Sequence, residues 1–225
     1  MFKSLPMAAA GCMMVSRRFL RDFQGIENLP PKGRPAIIAV NHSSLLDGLM
    51  ICAEFSWRTR RPFHPLVTAD GFENPLYGWI LRCTKAVPID RKDARNTELA
   101  LRTLLGYLAR GEQITIFPEG HLNNGQSMRL PRPGMALLAL ESGAPVYPCG
   151  LRGTADVYPP GGKLRWRKAV EIHLGTPLET REMSARYHSA PAAERKQIVN
   201  ELSYKVMARI AELSGQRLHR RMVKG

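Results

Sequence analysis

Two short polar runs in this 225-residue chain hold the residue types of acid–base chemistry. The first is His42-Ser43-Ser44-Leu45-Leu46-Asp47. A neutral imidazole is the usual general base near neutral pH. A carboxylate against its second nitrogen fixes the tautomer and stabilises the imidazolium that forms. On an ideal helix, residues five apart are about 140° from each other. His42 and Asp47 therefore meet only if His42 sits in a turn and Asp47 folds back from the first turn of the helix that follows. Taken alone, the pair reads more readily as a capped helix start beside a surface histidine. The second run is Phe117-Pro118-Glu119-Gly120, a strand end followed by an acid and a glycine. Glu119 can hydrogen-bond a substrate hydroxyl, order a neighbouring side chain, or sit solvated in a turn.

Few other residues carry such a pattern. His64, His173, His188 and His219 lack partners at useful spacing and read as core or surface residues. Trp57, Trp79 and Trp166 read as core or interface residues. Cys12, Cys52, Cys83 and Cys149 form no C-x-x-C pair, so free thiols are expected and neither a disulfide scaffold nor a metal site.

The elements that must position these residues are legible from hydrophobic period. Short apolar runs at 36–40, 65–69, 86–90, 113–117, 146–151 and 169–174 predict strands. Helices are predicted over 45–55, 74–83, 96–110 and 134–142, with Leu101, Leu104, Leu105 and Leu108 on one face of the third. Val199, Leu202, Val206, Ile210 and Leu213 form the stripe of a last helix. Strands alternating with helices predict a single α/β domain, a largely parallel or mixed sheet flanked by helices. Active residues in such sheets lie in loops at strand ends.

The composition, 44% hydrophobic and 23% charged, excludes a disordered chain. A formal net charge of +14 predicts an anionic partner: phospholipid, an acidic carrier protein or nucleic acid. No run reaches the roughly 20 apolar residues of a membrane span. The segment 1–24 instead reads as an amphipathic helix in the membrane interface, with Met13, Met14, Phe19, Leu20 and Phe23 among Arg17, Arg18 and Arg21. Packing on the domain body is the other reading of that helix. Lys163, Arg165, Arg167 and Lys168 surround Trp166, and Arg217, Arg220, Arg221 and Lys224 follow near the end. Such clusters suit an anionic membrane surface, an acidic carrier protein or the phosphates of CoA. A solvated positive face is the plainer alternative. No nucleic-acid-binding motif accompanies the charge, so no nucleic-acid partner is expected.

Four ordered blocks carry a resemblance. Asn41-His42-Ser43-Ser44-Leu45-Leu46-Asp47-Gly48 resembles the first signature block of the glycerolipid acyltransferases, the family of 1-acylglycerol-3-phosphate acyltransferase. Val87-Pro88-Ile89-Asp90-Arg91 is similar to its second block and Ile116-Phe117-Pro118-Glu119-Gly120 to its third. Ala144-Pro145-Val146-Tyr147-Pro148 with Arg152-Gly153-Thr154 is similar to its fourth. The likeness runs from about residue 25 to residue 178, within an expected catalytic domain of 25–180 that a helix and basic tail at 181–225 follow.

The resemblance implies an O-acyltransferase. In it His42 deprotonates an acceptor hydroxyl, Asp47 holds the imidazole, and the alkoxide attacks an acyl-CoA or acyl carrier protein thioester. No acyl-enzyme, metal or cofactor is implied, so Ser43 and Ser44 need not be nucleophiles. The acceptor is a lysophospholipid, first among them 1-acyl-sn-glycerol-3-phosphate, at the cytoplasmic face of the cell membrane with peripheral or monotopic attachment. Arg91 is the expected phosphate ligand, an ion pair with Asp93 being its alternative. Backbone N–H groups near Gly120 are candidate oxyanion donors, and Glu119 a substrate contact. The third block departs from the family pattern: His121-Leu122-Asn123 stands where Thr-Arg-Ser is common. His121, or Arg129 or Arg132 from the next loop, is then expected to replace the missing arginine. Lys85, in place of a frequent glycine, is a further candidate contact. Tyr77 and Trp79 are candidates to face the acyl chain. The altered third block also keeps open another lyso-lipid acceptor, such as lyso-ornithine lipid or lysophosphatidylethanolamine, or a non-catalytic lipid-binding role.

Overall fold

The structure, a computed structural model, describes residues 13–14 and 16–223. Within them the chain runs β1 (Leu20–Gln24), β2 (Ala36–Val40), α1 (Leu46–Thr59), β3 (Phe63–Thr68), α2 (Pro75–Cys83), β4 (Val87–Ile89), α3 (Ala94–Ala109), β5 (Gln113–Ile116), α4 (Gly134–Ser142), β6 (Val146–Arg152), α5 (Thr154–Val157), β7 (Val170–Leu174), α6 (Arg181–Ser189), α7 (Ala192–Ser214) and α8 (Arg220–Val223). The seven strands form one sheet ordered β1-β7-β6-β2-β5-β3-β4. All pairings are parallel except β6 with β7. This is the mixed α/β sheet that the alternating pattern predicts.

Every residue of β2 is buried, as in a strand with helices on both faces. Ile37 and Ala39 pack towards Leu104 and Leu108 of α3, Leu138 of α4 and Val206 of α7. Ile38 and Val40 face Met50, Ile51 and Phe55 of α1. Truncating a fully buried Ile such as Ile38 to Ala would cost about 2–5 kcal/mol. Helix α7 lies close on β6 because residue 150 is glycine: a Cβ there would come within 2.4 Å of the backbone at Leu213 and Ser214. The segment 181–225 thus joins the same core as far as it is described.

Boundaries follow local chemistry. Helix α3 begins two residues before its apolar stripe predicts, because the Asp93 side chain accepts from the Arg95 N–H at 2.8 Å and caps it. Helix α4 spans its predicted 134–142. Helix α6 is not predicted: Tyr187 is its one buried residue, too few for a periodic stripe.

The amino-terminal expectation needs correction. Residues 16–19 are helical, but 20–24 are strand β1, paired in parallel with β7 through Phe23 opposite Ile172. Burying Phe23 while completing the open edge of β7 outweighs continuing the helix. The rest of the proposed helix, residues 1–12, lies outside the described residues. Among the described residues no helix is long and apolar enough to cross a membrane. Cys52 and Cys149 are buried, Cys83 is half-buried, and Cys12 lies outside the described residues.

Candidate active site

The site forms where β2 and β5 end. Asn41 closes β2 with its side chain on the backbone of β6, donating to the Leu151 carbonyl at 3.0 Å and accepting from the Leu151 N–H at 2.7 Å. His42 follows in the turn, and Asp47 lies in the first turn of α1, where a carboxylate suits the helix dipole. One oxygen of Asp47, Oδ2, accepts from His42 Nδ1 at 2.9 Å, Ser43 N–H at 2.7 Å and Ser44 N–H at 2.8 Å. This is the fold-back that a five-residue separation requires. Asp47 is fully buried, whereas the His42 side chain keeps 21% exposure and lines a cavity of about 760 Å³. With Nδ1 facing a carboxylate, the proton belongs on Nδ1, and Nε2 presents its lone pair. The ring plane is held by Phe117, stacked at 4.1 Å between centroids.

The serine hydroxyls are already engaged. Ser43 Oγ pairs with Thr154 Oγ1 at 3.1 Å, and Ser44 Oγ donates to the Tyr158 carbonyl at 2.6 Å. Both tie the catalytic turn to the segment after β6. Neither is arranged as a nucleophile, since His42 directs its one protein-bound nitrogen at Asp47.

Of the readings open for Glu119, the structure shows the one in which it orders its neighbours. Its side chain is buried with donors on both oxygens: His42 N–H at 3.0 Å, Arg129 N–H at 2.7 Å and the Asn123 amide at 2.8 and 3.0 Å. It is a strut between the third block and the turn that carries His42. Burial pushes its carboxyl above the ordinary range, against the downward pull of these donors. An acid raised in the fold binds its proton more tightly there than in the unfolded chain. Its contribution is therefore complete below the unfolded pKa and is lost as pH rises through the folded one. Glu119→Gln should flatten this acid-side pH dependence. It should also lower stability at neutral pH by about 1–3 kcal/mol, because an NH₂ then faces an N–H donor. Denaturant titrations across acid pH check both.

The Gly120 N–H itself closes a turn to the Phe117 carbonyl at 3.0 Å. The value of Gly120 is its missing side chain and a φ of +69°. A Cβ there would lie 3.1 Å from Arg132 Cγ and 3.6 Å from Arg91 Cζ, so glycine lets two arginines close over the turn. His121 Nε2 lies 3.4 Å from a guanidinium nitrogen of each. Burial first, then Arg132, lowers the Arg91 pKa, with Asp70 opposing. Burial, then Arg91, Arg132 and Arg129, lowers that of His121. Cationic groups crowded in this way are relieved by an anion.

Arg91 and His121 thus occupy one cluster and also line the cavity. Asp93 is not the partner of Arg91, because it caps α3. Arg132 takes the place expected of Arg129, whose backbone is what holds the site. Lys85 is corrected: it precedes β4 and lies by His64 and Glu112, while Arg91 follows β4. Three strand residues at about 3.3 Å each separate the two ends of β4. His64, predicted as core or surface, is fully buried, with Nε2 2.6 Å from Glu112 Oε2. Tyr77 lines the cavity, and burial, with Cys52 and Asp47 nearby, pushes its phenol up to about 12. Trp79 is 47% exposed and is absent from the cavity wall. Sequence reasoning missed Asn41, Asn123 and Thr154 as supports, since each acts through contacts distant in sequence.

The family model described as acyltransferase matches residues 21–152. A 1-acyl-sn-glycerol-3-phosphate acyltransferase of Chlamydomonas reinhardtii is 30% identical over 156 residues, covering 68% of this chain and 46% of that protein. One from Pseudomonas aeruginosa is 28% identical over 159 residues, covering 68% of this chain and 57% of that protein. The chain spans about half the length of these curated relatives. The crystal structure of the 1-acyl-sn-glycerophosphate acyltransferase PlsC from Thermotoga maritima shares the fold, with a TM-score of 0.61 and 21% identity over 92% of this chain and 80% of that one.

Proposed function

The chain belongs to the acyltransferase family, and on that premise we propose that it moves a fatty acyl group from a thioester to the free hydroxyl of a lysophospholipid. 1-Acyl-sn-glycerol-3-phosphate is the acceptor it fits best, and phosphatidic acid the product. The observation carrying this reading is one cavity that joins the His42–Asp47 pair to an apolar wall and a cationic corner. Leu46, Leu49, Leu66 and Val67 supply the wall, and Arg91, with the His121 imidazole beside it, the corner.

His42 Nε2 takes the acceptor's hydroxyl proton while Asp47 stabilises the imidazolium. The alkoxide oxygen bonds to the thioester carbonyl carbon, giving a tetrahedral oxyanion. Collapse breaks the carbon–sulfur bond, and the departing thiolate of CoA or acyl carrier protein takes the proton back from His42. Ester and thiol are the products, and His42 ends neutral. The reaction runs at the cytoplasmic face of the cell membrane, where both the lipid acceptor and the thioester are available. Leu122 in place of an arginine favours a second reading, acylation of a lyso-lipid with another headgroup, such as lyso-ornithine lipid or lysophosphatidylethanolamine.

The test is the purified chain assayed against these lyso-lipids with both thioester donors. Arg91→Ala and Arg132→Ala should each raise KM for the phosphate acceptor about 10–100-fold with kcat little changed. A hydrogen bond to a charged group contributes about 1.5–3 kcal/mol, and each 1.4 kcal/mol is tenfold. Lys85→Ala should leave KM unchanged. A preference for zwitterionic acceptors that ignores Arg91 would favour the second reading, and absence of ester with every pair would remove both.

A further inference from the structure

Sheet topology gathers exposed apolar and basic residues on the edge that carries the catalytic turn. His42 and the Phe117–Gly120 turn follow the carboxyl ends of parallel strands β2 and β5. Strand β7 runs antiparallel to β6, and β1 runs parallel to β7. The residues entering β1 and β7 therefore lie at that same edge, and the Ala169 N–H donates to the Phe19 carbonyl there at 3.0 Å.

Residues 161–168, between α5 and β7, are all exposed. Trp166 is 67% exposed although its ring stacks on Phe19 at 5.3 Å, so it is propped outward and not left loose. Leu164, Met14 and Leu45 are the other large apolar residues exposed along this edge. Around them stand Arg17, Arg18, Lys163, Arg165, Arg167 and Lys168, of which Arg167 pairs with the exposed Asp156 at 3.3 Å. The segment follows Tyr158, which lines the cavity and whose backbone carbonyl accepts a hydrogen bond from the Ser44 hydroxyl. Rim and cavity mouth are thus one continuous surface.

We propose that this rim, Met14 with Arg17 and Arg18 on one side and residues 163–168 on the other, docks on an anionic phospholipid bilayer with the cavity mouth facing the lipid. The proposal rests on the function proposed above. An indole with apolar neighbours settles at the headgroup level, and basic side chains beside it gain from anionic lipid at roughly fivefold in affinity each. A bilayer fits better than nucleic acid or a protein partner, because exposed apolar residues stand among the cations.

The test is sedimentation of the full chain with vesicles of one part phosphatidylglycerol to three of phosphatidylcholine, against phosphatidylcholine alone. The wild type should bind the anionic vesicles about tenfold more tightly or better. Lys163→Glu with Arg165→Glu should remove that advantage, and Trp166→Ala should weaken binding several-fold. The same variants should lose activity on an acceptor embedded in vesicles and keep it on a short-chain acceptor dispersed as monomers. Variants that sediment like the wild type, or that lose both activities alike, would overturn the proposal. So would a raised KM for acyl carrier protein thioester with vesicle binding unchanged. Vesicle binding that follows the rim while no thioester is ever consumed would uphold the docking surface and sink the catalytic reading instead.

Discussion

Replacing His42 with alanine is expected to lower kcat by about 10³–10⁴-fold, the upper range for loss of a positioned general base. The acceptor alcohol cannot lose its proton unaided at neutral pH, and His42 presents to the cavity an imidazole paired with a carboxylate. The fold should survive. The His42 contact with Glu119 is made by its backbone N–H, and the Asn123 N–H bonds its carbonyl at 2.6 Å. Both remain in the alanine variant. Initial rates with saturating thioester, set beside circular dichroism and vesicle binding, measure the effect. A residual kcat within tenfold of wild type would place the base elsewhere.

Asp47→Asn should lower kcat by about 10²–10⁴-fold, the range of general-base catalysis, because loss of the charge removes the partner that stabilises the imidazolium. It should also cost stability. Asp47 Oδ2 holds the turn through Ser43 and Ser44, and an asparagine oxygen can keep those bonds. The asparagine NH₂ then occupies the site of Oδ1, which is buried without a protein partner. A buried unsatisfied donor costs about 1–3 kcal/mol. Denaturant midpoints and kcat measured on the same preparation separate the two effects. A stable variant with near-normal kcat would reduce Asp47 to a cap on the turn.

His42 and Asp47 were legible together because their relation is local. Five residues across one turn and the start of one helix leave little freedom, and the elements around them repeat apolar residues at a period that names them. The strands β2, β5 and β6 and the helix α4 were readable for the same reason: each carries its own pattern of burial. The resemblance in four blocks extended that reading to a family, but a motif names residues without saying which way they face.

Long-range packing settled the rest. Glu119 reads as a ligand until the sheet brings three backbone and side-chain donors to it from His42, Asn123 and Arg129. Lys85 and Arg91 look equivalent along the chain, yet they lie at opposite ends of β4. Arg132 joins Arg91 because a glycine leaves room above a turn formed by a different strand. Residues 20–24 look helical until β7 offers them an edge. A periodic pattern records what each segment buries, since burial of its own side chains is a property of the segment. Which segments meet is set by the free energy of the whole sheet and its covering helices, where contacts far apart in sequence outweigh local preference.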